Sequence, residues 1–253
     1  MGFKKGKGLD DAPIDDPTAW MLTSPIAEFL LMHTKEIRYM CMFGYTFLHG
    51  HKLFSKMGNA AAAYKFVSFI LACTGGGILV PIFINGIPVP IADDAYPIAI
   101  IASYVLHDRY PVLRQVLELS TVVKVFFVIC YETLRASVVV KLTTAAALVI
   151  APTTFSFPLF GPIMCGALGG CGGAFLPLNK GLEPMKKGLG LPMATAFFGA
   201  ALFHLYVNTS LSDGCVDAHA KAHVHLAMFF VASGLIQALD LSVDMSATKT
   251  KKD

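Results

Sequence analysis

Charge is almost absent from four long internal stretches, and nothing else in the sequence constrains the fold as strongly. Residues 66–84, 122–129, 142–150 and 193–207 hold one charged side chain among them, Lys124. A soluble domain of ordinary composition carries about a quarter of its residues charged. Here 15% of 253 residues are charged and 55% are hydrophobic, with a mean hydropathy of +0.62. One soluble core cannot absorb that much apolar surface, so lipid is the expected solvent for these segments. In hydrocarbon every backbone donor and acceptor must be satisfied within the chain, which selects helices for apolar runs of this length. The expected fold class is an all-α membrane protein.

Segments of about 20 apolar residues give seven expected spans. They fall near 30–50, 62–84, 92–107, 114–135, 142–176, 191–208 and 222–242. Lys35, Glu36 and Arg38 interrupt the first span. The fifth is too long for one crossing, and Pro152, Pro158 and Pro162 mark bends in it. The expected organisation is a polar tail over 1–24, a transmembrane domain over 25–243, and a basic tail over 244–253. No apolar run follows Lys4, Lys5 and Lys7, so a cleaved signal peptide is not expected. With seven spans, the odd loops and the C-terminal tail share one side and hold ten basic residues, against five for the other side. That imbalance, which counts Lys141 and Lys221 as loop residues, predicts a cytoplasmic C-terminus. Lys249, Lys251 and Lys252 then fit a dilysine pattern for retrieval to the endoplasmic reticulum.

One short pattern occurs twice. Gly76-Gly77-Ile78-Leu79-Val80-Pro81 matches Gly172-Gly173-Ala174-Phe175-Leu176-Pro177, and extra glycines precede both copies, Gly75 in one and Gly169 and Gly170 in the other. The copies stand three spans apart, and a unit with an odd number of spans inserts its second copy upside down. The expected architecture is therefore an inverted repeat of two three-helix units, about 25–110 and 111–210, plus a last helix near 222–242. Glycine lets helices approach closely or leaves a cavity. A downstream proline removes a backbone donor and kinks the helix. Close packing and a permeation path both remain open readings of these residues.

The fourth span carries Lys124, Glu132 and Arg135. A charge at the bilayer centre costs about 2.5–3.5 kcal/mol, so it pairs or lines a wet cavity. Glu132 and Arg135 are one turn apart and share a helix face. Lys124 lies on roughly the same face, where snorkelling to the headgroups is an equal reading. The cysteines read as small core residues, and His219, His223 and His225 as interfacial residues without a complete ligand set. With no nucleotide loop, activated nucleophile or catalytic carboxylate pair, no enzyme chemistry, metal or nucleic-acid partner is expected.

These motifs together resemble the trimeric intracellular cation (TRIC) channel family over roughly residues 55–240. Cys73-Thr74-Gly75-Gly76-Gly77 looks like the triple-glycine signature of its second helix, and Gly169-Gly170-Cys171-Gly172-Gly173 like the glycine motif of its fifth. Tyr131-Glu132-Thr133-Leu134-Arg135 sits where the family carries Lys-Glu-Val-x-Arg, and Pro111 matches a helix-three proline. The resemblance implies homotrimers with one pore per protomer, lined by kinked second and fifth helices at Gly75, Gly76, Gly77, Pro81, Gly172, Gly173 and Pro177. It also implies monovalent, chiefly potassium, conduction across an intracellular membrane as counter-ion flux. Through the resemblance Arg135, Glu132, Tyr131 and Lys124 become candidates for gating or for binding a lipid headgroup, with Arg135 near the second helix. Tyr131 departs from the family by replacing its lysine, and Lys124 lies about two turns earlier. No cofactor is expected beyond an anionic lipid. The endoplasmic reticulum is the expected site, with a mitochondrial or plastid membrane as the alternative. A non-conducting subunit of a larger organellar membrane complex and a secondary transporter are the competing functions.

Overall fold

The structure, a computed structural model, describes residues 16–176, 181–186 and 188–240. Among these residues all regular structure is helical. Helices α1 (Trp20–Thr23) and α2 (Pro25–Leu30) precede α3 (Lys35–Met57), α4 (Ala62–Phe83), α5 (Val89–Ala92) and α6 (Ala95–Arg109). Helices α7 (Val112–Leu119), α8 (Thr121–Val149), α9 (Phe160–Cys171), α10 (Leu191–Asn208) and α11 (Ala218–Ala238) follow. The long elements thus run as α3–α4–α6, then α8–α9–α10, then α11. Helices α4 and α10 are long and apolar enough to cross a membrane by length and composition.

Local chemistry sets the boundaries. The Thr34 hydroxyl accepts from the Ile37 amide at 3.3 Å and starts α3, so the first long helix begins later than 30. Ser120 does the same for α8 by accepting from Val123 at 3.4 Å. The expected fourth and fifth spans require correction. A single helix of 29 residues occupies 121–149, and α9 covers only 160–171. No glycine or proline lies between Thr121 and Val149, so nothing local stops the helix at Arg135; Lys141 rides on α8 instead of marking a loop. The stop comes at Ile150, in extended backbone ahead of Pro152. The last helix is also displaced, to Ala218–Ala238.

Helix α8 is the centre of the molecule, packed by α3, α9, α10 and α11. One core gathers Ala136, Val139, Ala200, Phe203, Ala227 and Phe230 from α8, α10 and α11. A second gathers Cys41, Met42, Ala99, Cys130 and Leu134 from α3, α6 and α8. All six cysteines are free thiols.

Residues 16–24 of the expected polar tail are folded. Lys221, in the first turn of α11 and only 3% exposed, donates to Asp16 Oδ2 at 2.5 Å and to Thr18 Oγ1 at 2.6 Å. The Lys221 ammonium and Thr18 together hold the Asp16 carboxyl down at about 2. Lys221 is therefore a helix residue tied to the N-terminal segment, not a loop cation. The dilysine tail and the rest of the N-terminal tail lie outside the described residues.

Candidate functional site

The two glycine motifs meet. A Cβ on Gly75 would lie 2.6 Å from the Gly173 Cα, and one on Gly76 would lie 2.4 Å from the carbonyl oxygens of Leu168 and Gly169. From the other side, a Cβ on Gly172 would lie 2.6 Å from the Gly76 Cα, and one on Gly173 would lie 2.1 Å from the Ala72 oxygen. Backbone touches backbone, so only glycine fits at these four positions. Gly76 and Gly172 are equivalent residues of the two motif copies.

Around the crossing the helices behave differently. Helix α4 continues two residues past the buried Pro81, whereas α9 ends at Cys171 and tightens into a 3₁₀ turn over Gly172–Phe175. Gly77 faces Val89 of α5, at 3.1 Å from a Cβ built there. Pro177 lies outside the described residues. A cavity of about 430 Å³ opens beside the crossing, lined by both glycine motifs together with Tyr45, His49, Tyr131, Lys52 and Lys56.

Arg135 ties this region together. Its Nε donates to the Gly170 carbonyl at 3.0 Å, and one terminal nitrogen donates to the Pro192 carbonyl at 2.6 Å and to Thr195 Oγ1 at 2.5 Å. The other terminal nitrogen pairs with the Glu132 carboxylate, and the guanidinium stands 4.5 Å from the Phe230 ring centre. One side chain thereby links α8 to α9, α10 and α11. Only 3% of Arg135 and 5% of Glu132 are exposed. A buried pair of this kind is stabilised by further hydrogen bonds, and the three to Gly170, Pro192 and Thr195 engage three of the four guanidinium N–H groups that the ion pair leaves over. Helix α11 makes room with Gly234, where a Cβ would meet Glu132 Cγ at 2.6 Å. Arg135 reaches the glycine motif of α9 and not α4, the second long helix of the first repeat, as the resemblance had implied.

A lysine stands on the face of Tyr131. The Lys52 ammonium, from α3, is 4.9 Å from the Tyr131 ring centre. Tyr45 stacks on the same ring at 4.8 Å, and His49 packs at 5.2 Å. Lys52 also lines a second cavity of about 330 Å³ with His51, Glu118, Lys124, Tyr131 and Glu132. Lys124 faces that outer cavity and does not line the glycine cavity.

The structure therefore brings together Gly75, Gly76, Gly172 and Gly173 at one crossing, with Arg135, Glu132 and Tyr131 beside it, and leaves Lys124 outside. Lys52, Thr195, Gly234 and Phe230 escaped the sequence reading. Lys52 ended an apolar span like any interfacial lysine, and only the isolated glycine at 234 carried a hint of close packing.

No family model matches the chain, and no curated protein matches it. The solved structure of a trimeric intracellular cation channel from C. elegans in the absence of Ca2+ does match. Its TM-score is 0.65 at 16% identity, over 86% of this chain and 95% of that one. At that identity the shared property is the fold. The all-helical architecture described above is of the TRIC type.

Proposed function

We propose that the chain is a monovalent, potassium-type cation channel of an intracellular membrane, acting as a homotrimer with one path per protomer. The observation that carries this reading is the glycine crossing. In a chain of TRIC-like fold, two repeat-related glycine motifs meet at a cavity of about 430 Å³, and a buried arginine holds one of them. Helix α9 breaks into a 3₁₀ turn at its glycine motif while α4 runs through its own, and a broken helix beside a cavity is where membrane proteins place ion paths, because loosened carbonyls there face the cavity instead of lipid. Opening then requires the Gly75–Gly173 and Gly76–Gly172 backbones to separate. Arg135 bonds Gly170 and the start of α10, and so couples that separation to α8, α10 and α11. Lys52 restores on the face of Tyr131 the positive charge that the family motif carries at that position. It places an ammonium between the glycine cavity and the outer one, where an anionic lipid headgroup would neutralise it.

A second reading has its own support. The glycine backbones are in contact, and the glycine cavity is lined by Lys52 and Lys56 but by no carboxylate among the described residues. That chemistry also suits a non-conducting subunit of a larger organellar membrane complex. Recording from purified protein in planar bilayers with a potassium chloride gradient separates the two. Unitary currents reversing near the potassium potential support the channel. Silence from folded protein across voltages and anionic lipids rejects it in favour of the structural subunit.

A further inference from the structure

The first turns of α11 hold a cluster of bases that the junction at Arg135 does not use. His219 and His223 are one turn apart, and their face continues along α11 to Phe230 and Gly234. Those two residues meet Arg135 and Glu132 of α8. At the other end of this face, His219 Nε2 and the Thr144 hydroxyl of α8 share a hydrogen bond at 3.1 Å. Nε2 of His223 is buried and has no hydrogen-bond partner among the described residues. Protons can reach the cluster, since His33, His219 and Lys141 are exposed.

The charged and titratable groups that act on His223 are all bases: His219, Lys141 of α8, and His33 from the segment ahead of α3. Arg38 of α3 and Asp93, just ahead of α6, act in turn on Lys141. Lys221 is held by Asp16 and Thr18, and His225 Nδ1 by the Lys221 carbonyl at 2.9 Å, so neither joins the cluster. We propose that His33, His219 and His223 form a proton-sensitive switch in the contact between α8 and α11. Imidazole is the side chain that ordinarily changes charge between about pH 5 and 8. With the rings neutral, the contact holds the Lys141 ammonium and the bond to Thr144. Each proton taken up adds a positive charge beside that ammonium, and Asp93 is a single carboxylate against Lys141 and Arg38 already. Repulsion then loosens the first turns of α11 from α8. The contact is complete above the imidazole range and is lost as pH falls through it. Because the loosened face runs on to Phe230 and Gly234, the switch acts on the Arg135 junction.

The inference rests on no conduction, and its test needs none. Full-length protein in nanodiscs is placed in deuterated buffer at about pH 7.5 and about pH 5.5, spanning the imidazole range. Rates are corrected for the intrinsic pH dependence of amide exchange. Amides of residues 222–229 are expected to exchange at least about threefold faster at the lower pH, the weight of one like-charge contact at about 6 Å in water. Those of α9 are expected to be unchanged. His219→Gln combined with His223→Gln is expected to abolish the difference. Lys141→Gln, at an exposed position where little packing is disturbed, is expected to bring it below about twofold with every histidine in place. Equal rates at the two pH values in the wild type overturn the proposal. So does a full acid response retained in either variant, or a response of equal size in α9, which would be general unfolding.

Discussion

Arg135→Ala tests whether the four-helix junction is held as described. The substitution removes one ion pair and three hydrogen bonds, to Gly170, Pro192 and Thr195, and leaves Glu132 as a buried carboxylate with 5% exposure. Breaking a buried pair by removing one partner costs about 3–5 kcal/mol, most of it the uncompensated charge. For a chain of this size that corresponds to a fall in Tm of about 6–20 °C. Thermal unfolding of the purified protein in one detergent or nanodisc preparation measures it. The companion variant Glu132→Gln with Arg135→Ala removes the stranded charge and retains the side-chain volume. It should be more stable than Arg135→Ala alone by about 2 kcal/mol, with the remaining deficit owed to the lost bonds to Gly170 and Thr195, since the Pro192 carbonyl keeps the Thr195 hydroxyl at 3.2 Å. A loss below about 1 kcal/mol for the single variant would refute the account. So would a double variant no more stable than the single one, since the cost would then not lie in the carboxylate.

Three further predictions follow from particular contacts. Gly76→Ala forces a methyl against two backbone carbonyls at 2.4 Å, so overpacking should cost about 1–3 kcal/mol in thermal unfolding; a neutral result would mean that the glycine motifs do not touch. Asp16, held at about 2 against an unfolded value of 3.8, stabilises the N-terminal segment above pH 3.8, and that stabilisation is lost as pH falls through about 2. Limited proteolysis around residues 16–24 should accelerate over that window in the wild type and already be fast at neutral pH in Asp16→Asn. Lys52→Gln removes a positive charge from the cavity wall; for a cation at about 6 Å in a water-filled path this is worth about 0.7 kcal/mol, or about threefold in flux. Single-channel conductance unchanged by Lys52→Gln, in protein that conducts, would place the ion path elsewhere.

The glycine repeat and the Glu132–Arg135 spacing were legible in the sequence because both are local patterns: a six-residue string and a one-turn interval. Where local signals were weak, the reading failed. Lys141 looked like a loop residue between two spans, yet a helix without glycine or proline continues past one exposed lysine. The hydrogen-bond partners of Arg135 other than Glu132 lie 35 to 60 residues away, and Lys221 pairs with Asp16 across 205 residues. No spacing rule reaches that far. The covering of Tyr131 by Lys52 has the same character, since it depends on how α3 lies against α8.

Hydropathy and backbone chemistry act over a few turns of helix, so the sequence alone determined an all-helical chain with apolar spans, duplicated glycine motifs and an internal charge pair. Which glycine meets which, where the guanidinium finds its carbonyls, and which lysine supplies the charge over Tyr131 were settled only when α3, α8, α9, α10 and α11 packed together. Those contacts exist through the relative placement of distant helices, and that placement follows from summed side-chain volumes and satisfied buried polar groups across the whole molecule.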